Sequence, residues 1–377
     1  MKTNMKKILI DATIIRIEDL YKSLPIYIFR YLASIEKEEY SRYKILVLDE
    51  VLDYMKQQYS MFEYIAYNPY TDKMSSNRII KFIQRCRLYK KTVENSDCQI
   101  LFVPNDLVTF SSIKTTLKKI TVIHDMKSIN NRTRFSVNYI INWIYYHQLL
   151  SNSNKIVTIS NFTKQDLLKL FPRTNLNKMQ IIYNSVEILP TRIEIQKDIY
   201  NNYILFVNTL IPYKNIMTFL RAFSLIKDKI HQNIIIVGKT TEHWNNEAIP
   251  FIQQNGFSHR VVHLENISNG ELIQLYQNAT LFVTTSLKEG FGYTPIEAAM
   301  CGCPVISSTC EALLDTTKEL LHYYEPAQDA KILSRKILHV LNNTPSKKEL
   351  DGIACKYKEL YSPEKQYQSF KNIFNSL

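Results

Sequence analysis

The chain has few glycines, seven in 377 residues, so each is expected where the backbone needs a positive φ or a close approach. Its six cysteines fall at irregular spacings without a Cys-x-x-Cys pair. Neither a zinc site nor a disulfide framework is indicated, and a reducing compartment is the default expectation. No apolar run approaches the roughly 18 residues needed to cross a bilayer. The opening MKTNMKKILIDATII is interrupted by Asp11 and has no small-residue cleavage site, so it reads as a first strand rather than a leader. There is no low-complexity tract and no 20–50-residue period, which excludes a disordered chain and a solenoid. What is present is a globular composition, 45% hydrophobic and 22% charged, long enough for two or three domains. The formal charge of +12 favours an anionic partner: nucleic acid, an acidic membrane surface, or a phosphorylated small molecule.

Short Ile/Val-rich runs at Ile8–Asp11, Lys44–Leu48, Ile100–Val103, Ile120–Ile123, Lys155–Ile159 and Ile181–Tyr183 alternate with stretches of helical period such as Arg132–Ser151. This is the pattern of a parallel α/β sheet. It breaks over Ile188–Asn202 and restarts with Tyr203–Val207, Asn233–Val237, Arg260–Leu264, Leu281–Thr284 and Val305–Ser307. Two Rossmann-like, doubly wound domains are expected, residues 1–188 and 203–360, joined by a linker at 189–202. Ser362-Pro363-Glu364 then caps a final amphipathic helix over residues 361–377.

Between Lys73 and Val93 there are seven Lys or Arg and no acid. At helical spacing Ile79, Phe82, Ile83, Cys86 and Val93 form an apolar stripe flanked by Arg78, Lys81 and Arg85. The plain reading is a helix whose stripe packs on the first sheet. Its outward cations are then either simply solvated or draw anionic headgroups without insertion.

The most informative stretch is Lys288–Ser307, KEGFGYTPIEAAMCGCPVIS, which holds three of the seven glycines between two buried-looking strands. Thr294 is expected to cap a helix with Pro295 at its first position and Glu297 at its third. A strand, a glycine-rich turn and a helix N-terminus together make a phosphate cradle, because amide N–H groups and the positive dipole end face the anion. Two acids, Glu289 and Glu297, bracket that turn eight positions apart.

This segment resembles the donor motif of the retaining GT-B glycosyltransferases of family four, the glycosyl transferases group 1. There, two glutamates bracket a Gly-Phe-Gly turn and the helix ends in a Cys-Gly-x-Pro-Val-Ile run, here Cys301–Ile306. The resemblance implies that Glu289 contacts the donor sugar, that Gly290, Phe291, Gly292, Tyr293 and Thr294 line the sugar and phosphate, and that Glu297 binds the ribose; a capping box with Thr294 is the alternative for Glu297. Leu205–Asn215 resembles the strand and loop that face the donor pyrophosphate, with Lys214 as the cation and Asn208 on the donor side. The family often has Gly at 208 and Arg at 213, where this chain has Asn208 and Tyr213. His124, at the end of Thr121–Asp125, matches a histidine near the donor sugar. Ile159–Lys164, with Ser160 as an N-cap, and Ile182–Glu187 match further signatures. In the latter the family's Asn-Gly-Val reads Asn184-Ser185-Val186, a departure at a turn that would carry strain.

The resemblance covers the whole chain and implies a GT-B fold, two such domains facing a central cleft, with catalytic roles for His124, Lys214 and Glu289. It implies retaining transfer from a nucleotide-diphosphate sugar, as co-substrate with no other cofactor, to a glycan or lipid-linked oligosaccharide in cell-envelope synthesis. No Asp-x-Asp occurs in the chain, so no metal is expected; Lys214, the turn amides and the helix N-terminus would meet the leaving diphosphate. The expected location is the cytoplasm, peripheral on the inner face of the membrane. Asn208, Tyr213 and Ser185 also fit a catalytically silent scaffold for another transferase. The charge alone suggests a nucleic-acid binder, which no motif supports, so no nucleic acid is expected as a partner.

Overall fold

A computed structural model describes residues 6–20, 22–70, 74–105, 108–130, 136–188 and 202–377. Two compact units result, one from Met1–Ser185 and Pro363–Leu377, the other from Val186–Ser362. Residues 189–201 of the expected linker lie outside the described residues.

The first unit is built on a seven-stranded, all-parallel sheet: β1 (Ile8–Asp11), β2 (Tyr43–Leu48), β3 (Glu63–Tyr67), β4 (Ile100–Val103), β5 (Lys118–Ile123), β6 (Lys155–Thr158) and β7 (Met179–Ile181). Their order is β3-β2-β1-β4-β5-β6-β7, with Ile8 of β1 opposite both Tyr43 and Ile100. Central strands such as β1 and β4 are buried at every position, which is why they read as unbroken apolar runs rather than alternating ones. Two strands had no counterpart in the sequence reading. β3 is an edge strand with mixed exposure, and the three-residue strand His322–Tyr324 of the second unit is too short to show a pattern.

The last helix, Pro363–Ser376, completes the first unit. Phe370 and Phe374 pack on Phe102 of β4, and Tyr367 and Phe370 meet Tyr31. The buried Arg42 guanidinium ties Lys6 O, Glu39 and the Asn375 side chain together. Ser185 Oγ donates to Gln366 of the same helix at 3.1 Å. Ser185 is not among the residues with positive φ, so the turn carries no strain at this departure from the family pattern.

The basic helix spans Arg78–Glu94 and is capped by Asn77, whose side chain accepts from Ile79 N and Ile80 N. Only its C-terminal half docks. Tyr89 stacks on Phe110, meets Tyr67 and donates to Asp11, and Val93 is buried. Ile79, Phe82 and Ile83 are exposed, so the expected packing of the whole stripe on the sheet fails for its first two turns. Arg85 is not simply solvated either: its Nε donates to Pro69 O and its guanidinium lies over the Tyr70 ring.

The second unit carries a six-stranded parallel sheet: β8 (Tyr203–Val207), β9 (Asn233–Val237), β10 (Val261–Leu264), β11 (Leu281–Thr284), β12 (Val305–Ser308) and β13 (His322–Tyr324). The order is β10-β9-β8-β11-β12-β13. Phe206, Ile234, Ile236, Val283 and Ile306 from the sheet pack with Phe219, Phe223, Leu333 and Ile337 from the helices Ile216–Ile226 and Ala330–Asn342. In both sheets the strand order reverses direction beside the first strand, between β1 and β4 and between β8 and β11. The carboxyl ends of the strands at such a reversal are where open α/β sheets hold ligands.

Candidate functional site

In the second unit the loops leaving the carboxyl ends of β8 and β11 gather most of the residues singled out by the sequence. The chain leaving β8 turns through Pro212–Lys214 into Asn215, which adopts a left-handed conformation at φ 59°. Asn215 Nδ2 donates to Thr285 O and Ala327 O, and its Oδ1 accepts from Thr218. Thr285 Oγ1 donates back to Asn215 O, and Leu287 N donates to Tyr213 O. The loop after β8 is thereby stitched to the loop after β11. The stitching brings Lys214 Nζ to 2.6 Å from Glu289 Oε1, with both side chains largely buried. The ammonium also sits 5.6 Å from the Tyr213 ring centroid, so the tyrosine that replaces a second cation still contributes its π face to the one present.

Glu289 N donates to Glu311 Oε2 at 2.6 Å, placing a third carboxylate at the turn. Asn208 leaves β8 half-buried, its Nδ2 3.3 Å from Ser286 Oγ. Its carbonyl explains Gly238, where a Cβ would come within 2.0 Å of Asn208 O.

The helix after the turn spans Tyr293–Met300, and its N-cap is Gly292 at φ 83°. This corrects the expected cap. The left-handed glycine starts the helix early, so Thr294 lies inside the first turn and no Thr294–Glu297 capping box forms. Glycine contributes no capping side chain, which leaves the helix terminus suited to an anion. A Cβ on Gly292 would approach Leu313 Cδ2 to 2.4 Å. Phe291 is buried against Tyr293 and Tyr361, and its carbonyl accepts from Thr316, so it anchors the turn. Gly290, Tyr293 and Thr294 are half-buried along it.

Glu297, freed from the capping role, accepts from Tyr276 OH at 3.2 Å. Burial, and then the neighbouring carboxylate, push the Tyr276 phenol well above its ordinary range, so it stays protonated and donates. Burial and Glu297 also push the Cys301 thiol up to about 12, which keeps it unreactive.

In the first unit His124 follows the end of β5, and its Nε2 is 3.0 Å from Pro104 O. A carbonyl can only accept, so the proton resides on Nε2. The Tyr27 ring meets the imidazole edge to face at 4.6 Å. Burial lowers the His124 pKa below 6.5, outweighing Pro104 and Asp125, and holds the ring neutral at pH 7.

Tyr276, Glu311 and Asn215 were not singled out from the sequence. Asn215 is the one with a local signal, an Asn directly ahead of an apolar helix. A cavity of about 460 Å³ also opens in the first unit, lined by Trp143, Phe171, Arg173 and Lys178 among others, and none of the residues above lines it.

Residues 191–356 match the family model described as glycosyl transferases group 1. The chain is 29% identical over 204 residues to the O-antigen chain mannosyltransferase RfbU of Salmonella typhimurium, covering 53% of this chain and 54% of that protein. It is 25% identical over 207 residues to O-antigen chain mannosyltransferase B of Escherichia coli, covering 52% and 54%. The matched stretches thus span about half the length of these relatives. In fold it is similar to a glycosyltransferase from Rickettsia africae ESF-5, with a TM-score of 0.79 at 18% identity over 99% of this chain and 98% of that one. Anabaena Alr3699/HepE in complex with UDP gives 0.74 at 16% identity over 99% and 100%. The fold is GT-B.

Proposed function

We infer that this chain, whose residues 191–356 match the glycosyl transferases group 1, transfers a hexosyl group from a nucleotide-diphosphate sugar to a glycan or lipid-linked oligosaccharide. The observation that carries this reading is the Lys214–Glu289 pair at the sheet's reversal point, next to a helix whose N-cap is the left-handed Gly292. Lys214 neutralises charge on the departing diphosphate, and the dipole at Gly292–Tyr293 adds to it. Glu289 takes the sugar hydroxyls and Glu297 the ribose. His124, neutral with its proton committed to Pro104, offers Nδ1 as an acceptor and orients the sugar rather than serving as the primary base. Configuration is retained without a covalent nucleophile, the leaving phosphate deprotonating the acceptor hydroxyl.

A mannosyl donor is the first candidate, because the relatives named above are mannosyltransferases. Among the described residues no helix is long and apolar enough to cross a membrane, and we place the work at the cytoplasmic face, with Arg78 and Lys81 attracting anionic headgroups. The test is a panel of nucleotide sugars, read by nucleoside diphosphate release and by thermal shift, with and without excess EDTA. Release that persists in EDTA supports both the enzyme and its independence of metal. Release abolished by EDTA and restored by magnesium contradicts the latter, and no release with any donor favours the silent scaffold.

A further inference from the structure

The loop that follows β12 runs along the glycine-rich turn and is fastened to it repeatedly. Ser308 Oγ and Cys310 Sγ both donate to Ser286 O, at 2.7 and 2.5 Å. Glu311 Oε2 accepts from Glu289 N at 2.6 Å. Leu313 packs where a Cβ on Gly292 would stand, and Thr316 Oγ1 donates to Phe291 O at 2.6 Å. Ser308, Cys310, Leu313 and Thr316 are not among the residues with positive φ. Glu311 is, at φ 48°, in the left-handed region that favours glycine.

Seven described residues other than glycine have a positive φ, and four of them are Asn or Asp, whose short side chains tolerate it. Of the other three, Glu319 is exposed and Lys318 pairs with Asp315 at 3.2 Å. Glu311 is the one whose side chain meets the candidate site. Strain of this kind persists where the side chain supplies something that glycine cannot. Here it supplies a charged acceptor for the Glu289 amide, and such bonds are stronger than neutral ones. Glu289 is thereby held twice, its carboxylate by Lys214 at 2.6 Å and its backbone by Glu311.

We propose that Glu311 is a positioning residue of the transfer reaction: held against its own backbone strain, its side chain fixes the Glu289 backbone so that the Glu289 carboxylate meets Lys214 and the donor sugar in one geometry. This rests on the sugar-transfer reading above and adds a residue to it. The role needs an acceptor at position 311, which a glutamine amide oxygen also provides and which alanine and glycine lack.

Three variants of the full chain separate position from stability. Alanine and glycine both remove the acceptor, but glycine also relieves the strained φ, so Glu311→Gly should melt about 2 °C above Glu311→Ala. Both should nevertheless lose about tenfold or more in kcat, with KM changed less than about threefold. Turnover is read as nucleoside diphosphate release from the donor of the panel above that the parent uses fastest. Glu311→Gln should keep kcat within about threefold of the parent. Added to Glu289→Gln, Glu311→Gly should cost little further, because the residue it positions is already altered. Hydrogen exchange read by mass spectrometry, without donor, follows the turn itself: the peptide carrying the Glu289 amide should exchange about tenfold faster in the alanine and glycine variants and at the parent's rate in the glutamine variant.

Turnover that follows stability, retained in Glu311→Gly and lost in Glu311→Ala, would leave Glu311 a structural role and overturn the proposal. So would a Glu311→Gln variant as impaired as Glu311→Ala, or parent-like exchange at the turn in both the alanine and glycine variants. A parent that turns over no donor would contradict the transfer reading instead, and the exchange would still decide whether Glu311 holds the turn.

Discussion

The Lys214 ammonium lies 2.6 Å from the Glu289 carboxylate, although the two residues are 75 positions apart in the chain. Each holds the other's charge in a largely enclosed place, and an incoming diphosphate competes with Glu289 for Lys214. The two residues act as a unit. Lys214→Ala and Glu289→Gln should each lower turnover by about two orders of magnitude, and the double variant should be little worse than either single one. Steady-state kinetics on the four proteins checks this; additive losses would mean that the pair is not a unit.

Tyr276 acts through Glu297. Removing its hydroxyl takes one hydrogen bond from the carboxylate, so Tyr276→Phe should weaken donor binding severalfold while kcat changes little. Glu297→Gln should show a larger defect of the same kind. Isothermal titration with donor, beside kinetics, separates this from a structural loss, which would reduce the active fraction and leave the affinity unchanged.

Gly292 is needed twice, for its φ of 83° and for its missing Cβ. Gly292→Ala should cost about 1–3 kcal/mol and misplace the helix terminus. A lowered midpoint in thermal or urea unfolding, together with weaker donor binding, is the expected result.

Much of this arrangement was legible in the residues themselves, for identifiable reasons. Strands covered on both faces, such as Ile100–Val103, betray themselves as apolar runs, whereas edge strands such as Glu63–Tyr67 need their neighbours to be defined. The turn at Glu289–Glu297 was visible because glycine is scarce here and two acids flank it. Its cap was misread, because Thr294 has the better side chain for capping but Gly292 has the backbone freedom that decided where the helix begins. Tyr276 could not be seen, since nothing local separates it from the chain's other 24 tyrosines. Helical period foretold an apolar stripe at Ile79–Val93, but period does not say how far along a helix the sheet extends beneath it.

His124 fixes the expected dependence on pH. Its pKa in the folded chain is lowered below 6.5, so in the window just under 6.5 the unfolded chain binds a proton that the folded one does not. Stability should therefore fall as pH drops through that window and on toward the folded pKa. Transfer should fall once the ring protonates and Nδ1 can no longer accept. His124→Asn should flatten this part of both the unfolding and the rate profiles, at reduced turnover throughout. An unchanged acid limb in the variant would assign it to another group.

The central claim is sugar transfer from a nucleotide-diphosphate donor with retention at the anomeric carbon. Proton NMR during turnover with a donor of defined configuration reads both parts at once. The account predicts that the first product signal carries the donor's own anomeric configuration and grows in step with nucleoside diphosphate release. An inverted linkage as the first product, or no transfer at all, would contradict it.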